Sequence, residues 1–124
     1  MEPEREYYED GSIHWEEWYV NDEIHRLDGP AFILYNRDGD GSISHERWAV
    51  NGKYHRLDGP AFIEYYTDGL IRHERWFING VYHRLDGPAN ILYYADGSLN
   101  YEEWWVNDIY INDDIIPWLE ENGI

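Results

Sequence analysis

The chain has 124 residues, 26 Asp and Glu against 9 Lys and Arg, a formal net charge of −17, and no cysteine. That length fits one domain. The missing cysteines exclude disulfides and thiolate metal sites, and the shortage of bases argues against direct binding to nucleic-acid phosphates. No apolar run approaches the length of a membrane span, and the acidic start "MEPEREYYEDG" is the opposite of a secretory leader, so a cytoplasmic protein is expected.

The acids are unevenly placed. Residues 1–24 hold nine acids and one base, Arg5, residues 25–84 hold eight of each, and residues 85–124 hold nine acids and no base. Apolar mass comes mainly from 7 Trp and 12 Tyr, with only 3 Phe and 1 Met. Trp and Tyr bury large flat area while keeping a polar tip, which suits half-buried sheet faces.

Residues 7–24, "YYEDGSIHWEEWYVNDEI", read as the back half of a unit that then recurs in full at 25–54, 55–82 and 83–110. Each full unit opens with "HRLDGPA", at 25–31, 55–61 and 83–89. A period of this size predicts stacked supersecondary units rather than a single-core domain. Within the second unit, "PAFIEYY" and "IRHERWFI" alternate in polarity around Asp68-Gly69, which predicts a β-hairpin. A second turn follows at Asn51-Gly52 and Asn79-Gly80. Asn21-Asp22 and Asn107-Asp108 replace it in the end units, where positive φ is harder to reach.

The heptad is expected to be the corner between hairpins. Asp-Gly supplies a turn, Pro opens the next strand, and Ala allows close approach of neighbouring units. Arg26, Arg56 and Arg84 are expected to pair with a carboxylate, either the Glu of "HERW" or the motif's own Asp. The histidines are expected to bond a backbone carbonyl or stack on a ring.

The tail, 111–124, breaks the pattern. Asp114 reads as the N-cap of a short helix with Pro117 in its first turn and Gly123 as its stop. Ile115, Ile116, Trp118 and Leu119 are expected to cap the last hairpin. The predicted fold is therefore all-β: residues 1–110 form an elongated antiparallel sheet of stacked β-hairpins, closed by a C-terminal capping helix. Edges at the two ends leave room for a homodimer.

The unit W-x-x-N-G-x-x-H-R-x-D-G-P-A, carried by Trp48, Asn51, Gly52 and 55–61, and by Trp76, Asn79, Gly80 and 83–89, resembles the MORN-like repeats of small phage and viral proteins. Trp18, Asn21 and 25–31 carry a weaker copy. The resemblance implies a stacked-hairpin fold and a phage-encoded inhibitor of a host or defence protein, acting in the host cytoplasm. A related MORN-like family of antitoxins implies an antitoxin-like or structural scaffold as an alternative.

Catalytic chemistry finds little support. Ser12, Ser42, Ser44 and Ser98 lack a nucleophile-elbow context, and neighbouring acids such as Glu16–Glu17 and Glu102–Glu103 alternate across a strand. No cofactor is expected. One loop, "NRDGDGSISHER" at 36–47, has calcium-like spacing in Asn36, Asp38 and Asp40, but its closing acid, Glu46, falls one residue early and its flanks read as strands. A bulged turn explains it without metal. The acids remain as the functional feature. They point to a protein partner with a basic surface, contacted by Glu16, Glu17, Asp22 and Glu23 at one end, or by Glu102, Glu103, Asp108 and Trp105 at the other. Imitation of a nucleic acid's charge, blocking a nuclease or other DNA- or RNA-binding protein, is the alternative.

Overall fold

The computed structural model describes residues 2–112 and 116–123, and its backbone is almost entirely β. β1 (Glu4–Tyr7) pairs antiparallel with β2 (Ile13–Glu17), so the first hairpin begins upstream of residue 7. A ribbon of β3 (Tyr19–Val20) and β4 (Glu23–Ile24) follows. The next unit repeats the arrangement with hairpin β5 (Phe32–Tyr35) and β6 (Ile43–Arg47), then ribbon β7 (Ala49–Val50) and β8 (Lys53–Tyr54). The third has β9 (Phe62–Tyr65) and β10 (Ile71–Arg75), then β11 (Phe77–Ile78) and β12 (Val81–Tyr82). The last has β13 (Asn90–Tyr93), a long β14 (Leu99–Val106) and β15 (Ile109–Ile111).

The hairpin strands join in chain order into one nine-stranded sheet, β1-β2-β5-β6-β9-β10-β13-β14-β15, with the ribbons beside it. The backbone of α1 (Ile116–Glu121) is helical for six residues. Among the described residues no strand makes a substantial contact with it, so a capping helix is not part of the fold as described. Asp114 and Ile115 lie outside the described residues, as do the side chains of Ile116, Trp118 and Leu119.

Register places one column across the sheet: Arg5, Glu16, Ile33, Glu46, Ile63, Glu74, Ile91 and Glu102. Residues opposed in antiparallel strands share a face, so acids alternate with isoleucines there. The pattern holds because each acid before the last, Glu102, has a partner. The Tyr65 hydroxyl donates to Glu46 at 2.8 Å, the Tyr93 hydroxyl to Glu74 at 3.3 Å, and the Tyr35 hydroxyl to Glu16. The opposite face carries Glu17, Phe32, Arg47, Phe62, Arg75, Asn90 and Glu103 in register. There the Arg47 guanidinium lies 5.0 Å from the Phe32 ring centre and that of Arg75 lies 5.0 Å from Phe62.

The heptad is the corner joining hairpin, ribbon and next hairpin. The backbone N–H groups of Trp18, Trp48 and Trp76 donate to the carbonyls of Ala31, Ala61 and Ala89, and those alanines are 0% exposed. Over each indole lies the next arginine: Arg26 on Trp18 at 3.9 Å, Arg56 on Trp48 at 3.9 Å, Arg84 on Trp76 at 3.8 Å. Each Nε donates to the motif's own Asp (Asp28, Asp58, Asp86) and each guanidinium also donates to the carbonyl of Pro30, Pro60 or Pro88. The acids are exposed, so this pair is weak and salt-screened. The stack on the indole is the larger contribution, about 0.5–2 kcal/mol as the site dries.

The structure refines two readings of the turns. Gly29, Gly59 and Gly87 are absent from the positive-φ glycines, so they do not serve as left-handed turn residues. A Cβ there would stand 2.8, 2.7 and 2.6 Å from the Cζ of Arg26, Arg56 and Arg84, so glycine is needed to admit the guanidinium between it and the indole. At the ends, Asn21-Asp22 (φ 52 and 64) and Asn107-Asp108 (φ 47 and 65) keep both turn residues left-handed, as Asn51-Gly52 does. Asp holds that conformation at a conformational cost.

The histidines act as acceptors. The N–H groups of Asn51, Asn79 and Asn107 donate to Nδ1 of His25, His55 and His83 at 2.9, 3.0 and 3.0 Å. Each heptad thereby holds the turn of the next ribbon.

Gly59→Ala is expected to force Arg56 off Trp48 and lower stability by about 0.5–2 kcal/mol, the contribution of the stack it removes. In an Arg56→Ala background the same substitution is expected to cost much less, because the two act on one contact. Urea denaturation of the four chains measures both.

Candidate binding surface

The two acidic ends differ in what their carboxylates already do. Glu16 is 7% exposed and bonded to the Arg5 Nε at 2.8 Å and to the Tyr35 hydroxyl, so it is a structural acid and not available to a partner. Glu17 accepts the Tyr19 hydroxyl. Asp22 and Glu23 are exposed, and the Glu23 carboxylate lies over the next ribbon's turn, 3.3 Å from where a Cβ on Gly52 would stand.

At the other end, Glu103 is half-buried and accepts the Asn90 amide at 2.7 Å and the Tyr101 hydroxyl at 2.7 Å. Those bonds, the Asn90 one first, hold its carboxyl below the usual range. Asp108 is tied to the preceding ribbon, since its carboxylate accepts the Tyr82 N–H at 3.2 Å. Trp105 is packed between Tyr82 and Tyr110, each 5.3 Å away between ring centres, at the end of an aromatic row that runs from Tyr54 through Phe77. Glu102 is exposed: it ends the Glu–Ile column, and among the described residues no later strand brings it a tyrosine.

The sequence reading missed Trp104. It occupies the place of Trp18, Trp48 and Trp76, yet it is 42% exposed where Trp18 is 8%. The signal was legible: the heptad that should supply its arginine is absent after residue 110, and "IN" stands at 111–112 where the units have "HR". Tyr94, Leu99, Tyr101 and Tyr110 are also exposed on these last strands.

The middle of the sheet holds a polar group that the sequence did not single out. Ser44 Oγ lies 2.8 Å from His45 Nδ1, His45 Nε2 lies 3.4 Å from Glu64, and Arg72 closes on Glu64 at 2.9 Å. The order resembles a nucleophile, base and acid. The group lies on a paired strand whose amides serve the ladder, so no backbone donors converge there to stabilise an oxyanion. Burial pushes the His45 imidazole below its ordinary value. One cleft of about 550 Å³ lies between successive corners, lined by Leu57, Leu85, Trp76 and Ile78 among others.

The 36–47 loop has turn geometry. Asp40 accepts the Ser42 N–H at 2.8 Å and Asn36 donates to the Ser42 hydroxyl at 2.9 Å. Asp38 accepts the Asp40 N–H at 3.3 Å. Asp10, Asp68 and Asp96 make the equivalent bond in the other hairpins, to residues 12, 70 and 98. Among the described residues no three His, Asp or Glu side chains gather to hold a metal. Nor, among them, is any helix long and apolar enough to cross a membrane.

No family model, curated protein or solved structure matches the chain.

The Tyr–Glu bonds carry a pH consequence. Burial first, then the Glu16 carboxylate, pushes the Tyr35 phenol up to about 12, and burial and Glu46 push Tyr65 up for the same reasons. A phenol raised on folding stabilises fully below its unfolded value of about 10 and loses that contribution as pH rises through the folded value. The melting temperature is therefore expected to fall between about pH 10 and about pH 12. Tyr35→Phe is expected to start lower and fall less steeply in the same thermal scan.

Proposed function

We propose that the chain is a non-enzymatic binding array that engages a protein with a basic surface through its C-terminal end. The observation that carries this reading is the exposure of Glu102 and Trp104 on one face of β14, and of Tyr101 and Tyr110 on the other, in a segment from residue 85 onward that contains no Lys or Arg. Aromatic anchors with flanking charge are the usual makings of an interface, the aromatics contributing affinity and the charge contributing steering. The N-terminal acids fit less well, because Glu16 and Glu17 are engaged internally.

The MORN-like motif supports the same reading at a finer level. Stacked hairpins give a rigid display surface, and the resemblance to small phage and viral proteins suggests that the engaged protein is a host or defence factor held inactive in the cytoplasm.

Affinity capture from a host lysate tests the proposal. Basic proteins are expected on the parent chain and on Asp22→Asn/Glu23→Gln, and to be lost at high salt and from Glu102→Gln and Glu102→Lys. Capture indifferent to salt and to the C-terminal substitutions contradicts it. Release of the captured protein by added nucleic acid identifies charge mimicry as the form the inhibition takes.

A further inference from the structure

We infer that the last long strand is an open docking end, to which an extended basic segment of a partner protein adds as the next strand while placing an arginine on Trp104. This rests on the proposed protein-binding reading and gives it a site and a ligand chemistry.

The chain contains its own template for the contact, three times over. In each internal junction an arginine covers an indole, at 3.9, 3.9 and 3.8 Å. A strand then pairs with the outer edge of the preceding hairpin, as Phe32–Leu34 does with Trp15–Glu17. A tyrosine from that strand reaches back to the column's acid, as Tyr65 does to Glu46 at 2.8 Å. One junction's spacing is explicit: Arg84 sits on Trp76, Ile91 lies opposite Glu74, and Tyr93 bonds Glu74.

All three receptors recur at the C-terminal end. Trp104 opposes Ile111 on the adjoining ribbon, in the place where Trp76 accepts the His83 N–H. Every arginine and lysine of the chain precedes residue 85, so no cation of its own segment can cap that indole. Glu102 takes the place of Glu74 in the column and is exposed. β14 pairs with β13 along Leu99–Glu103 and with β15 only from Trp104 on, so among the described residues no strand takes the outer edge of Tyr101–Glu103. Glu102 and Trp104 are two apart on β14 and so project on one side.

Charge selects the occupant. A second copy could offer its β1 edge, but that places Glu4 opposite Glu103 and brings a segment of nine acids and one base against one of nine acids and none. Its first arginine, Arg5, would fall opposite Glu102 and not on Trp104. A basic segment has no such conflict. An extended strand supplies main-chain bonds to the free edge, and the arginine fixes its register.

The probe is a labelled peptide with the chain's own junction sequence made basic by replacing its Asp with Lys, HRLKGPANILYY, titrated into the full chain and followed by fluorescence anisotropy. Saturable binding that weakens with salt is expected. Arg→Ala in the peptide and Trp104→Ala in the protein are each expected to weaken it about threefold to thirtyfold. The peptide variant leaves the protein untouched, so a folding defect cannot imitate the result. No binding, or equal binding of both variants, overturns the inference. So does concentration-dependent association of the free chain that Trp104→Ala leaves intact and that excludes the peptide. If Trp104→Ala still captures the parent's basic proteins from lysate, this site fails while the protein-binding reading stands; if the parent captures none, the reading itself fails.

Discussion

The guanidinium held between an indole and a glycine is the contact on which the architecture rests. Each unit is a hairpin and a two-residue-per-strand ribbon, with few wholly buried side chains: the largest buried groups, such as Phe62, Phe77 and Trp18, are still 8–9% exposed. A unit of that kind cannot hold together alone. The stack of Trp48, Arg56 and Gly59 joins the end of one hairpin to the start of the next, while the His55 ring holds the turn of the ribbon beyond. Because the motif's Asp is exposed, apolar and cation–π contact outweighs the ion pair at this corner.

The same contact explains why the ends differ from the middle. An array built by passing each unit's indole, acid and strand edge to its successor leaves those groups unmatched where succession stops. At the start, Arg5 takes the column position held elsewhere by Ile33, Ile63 and Ile91 and neutralises Glu16. At the other end nothing equivalent occurs among the described residues, and Glu102 and Trp104 are exposed. The functional surface is thus a continuation of the fold's own chemistry, and net charge alone does not define it.

Much of the fold was legible because its signals are local. Alternation about Asp10-Gly11, Asp68-Gly69 and Asp96-Gly97 marks the hairpins, and the invariant heptad marks the junctions. Three things were not. Gly59 reads as a turn residue, because an Asp-Gly pair looks the same whether glycine supplies positive φ or supplies room, and only the position of Arg56 separates them. Glu16 reads as a surface acid, because the partners that make its burial tolerable, Arg5 and Tyr35, lie 11 and 19 residues away. Asp22 and Asp108 read as poor residues for a left-handed turn, yet bonds such as that from the Asp108 N–H to the Tyr82 carbonyl hold the backbone in place. At the candidate site, Trp105 drew attention as an exposed anchor, whereas packing between Tyr82 and Tyr110 makes it part of the scaffold and its neighbour Trp104 the open residue.

The most direct test of the account is a double-mutant cycle on one junction, Trp76→Leu with Arg84→Met, read by equilibrium urea unfolding. The stacked contact predicts a coupling energy of about 0.5–2 kcal/mol that persists at high salt, since the exposed Asp86 contributes little. Additive losses, or a coupling abolished by salt, would contradict the claim that the arginine–indole stack ties the units together.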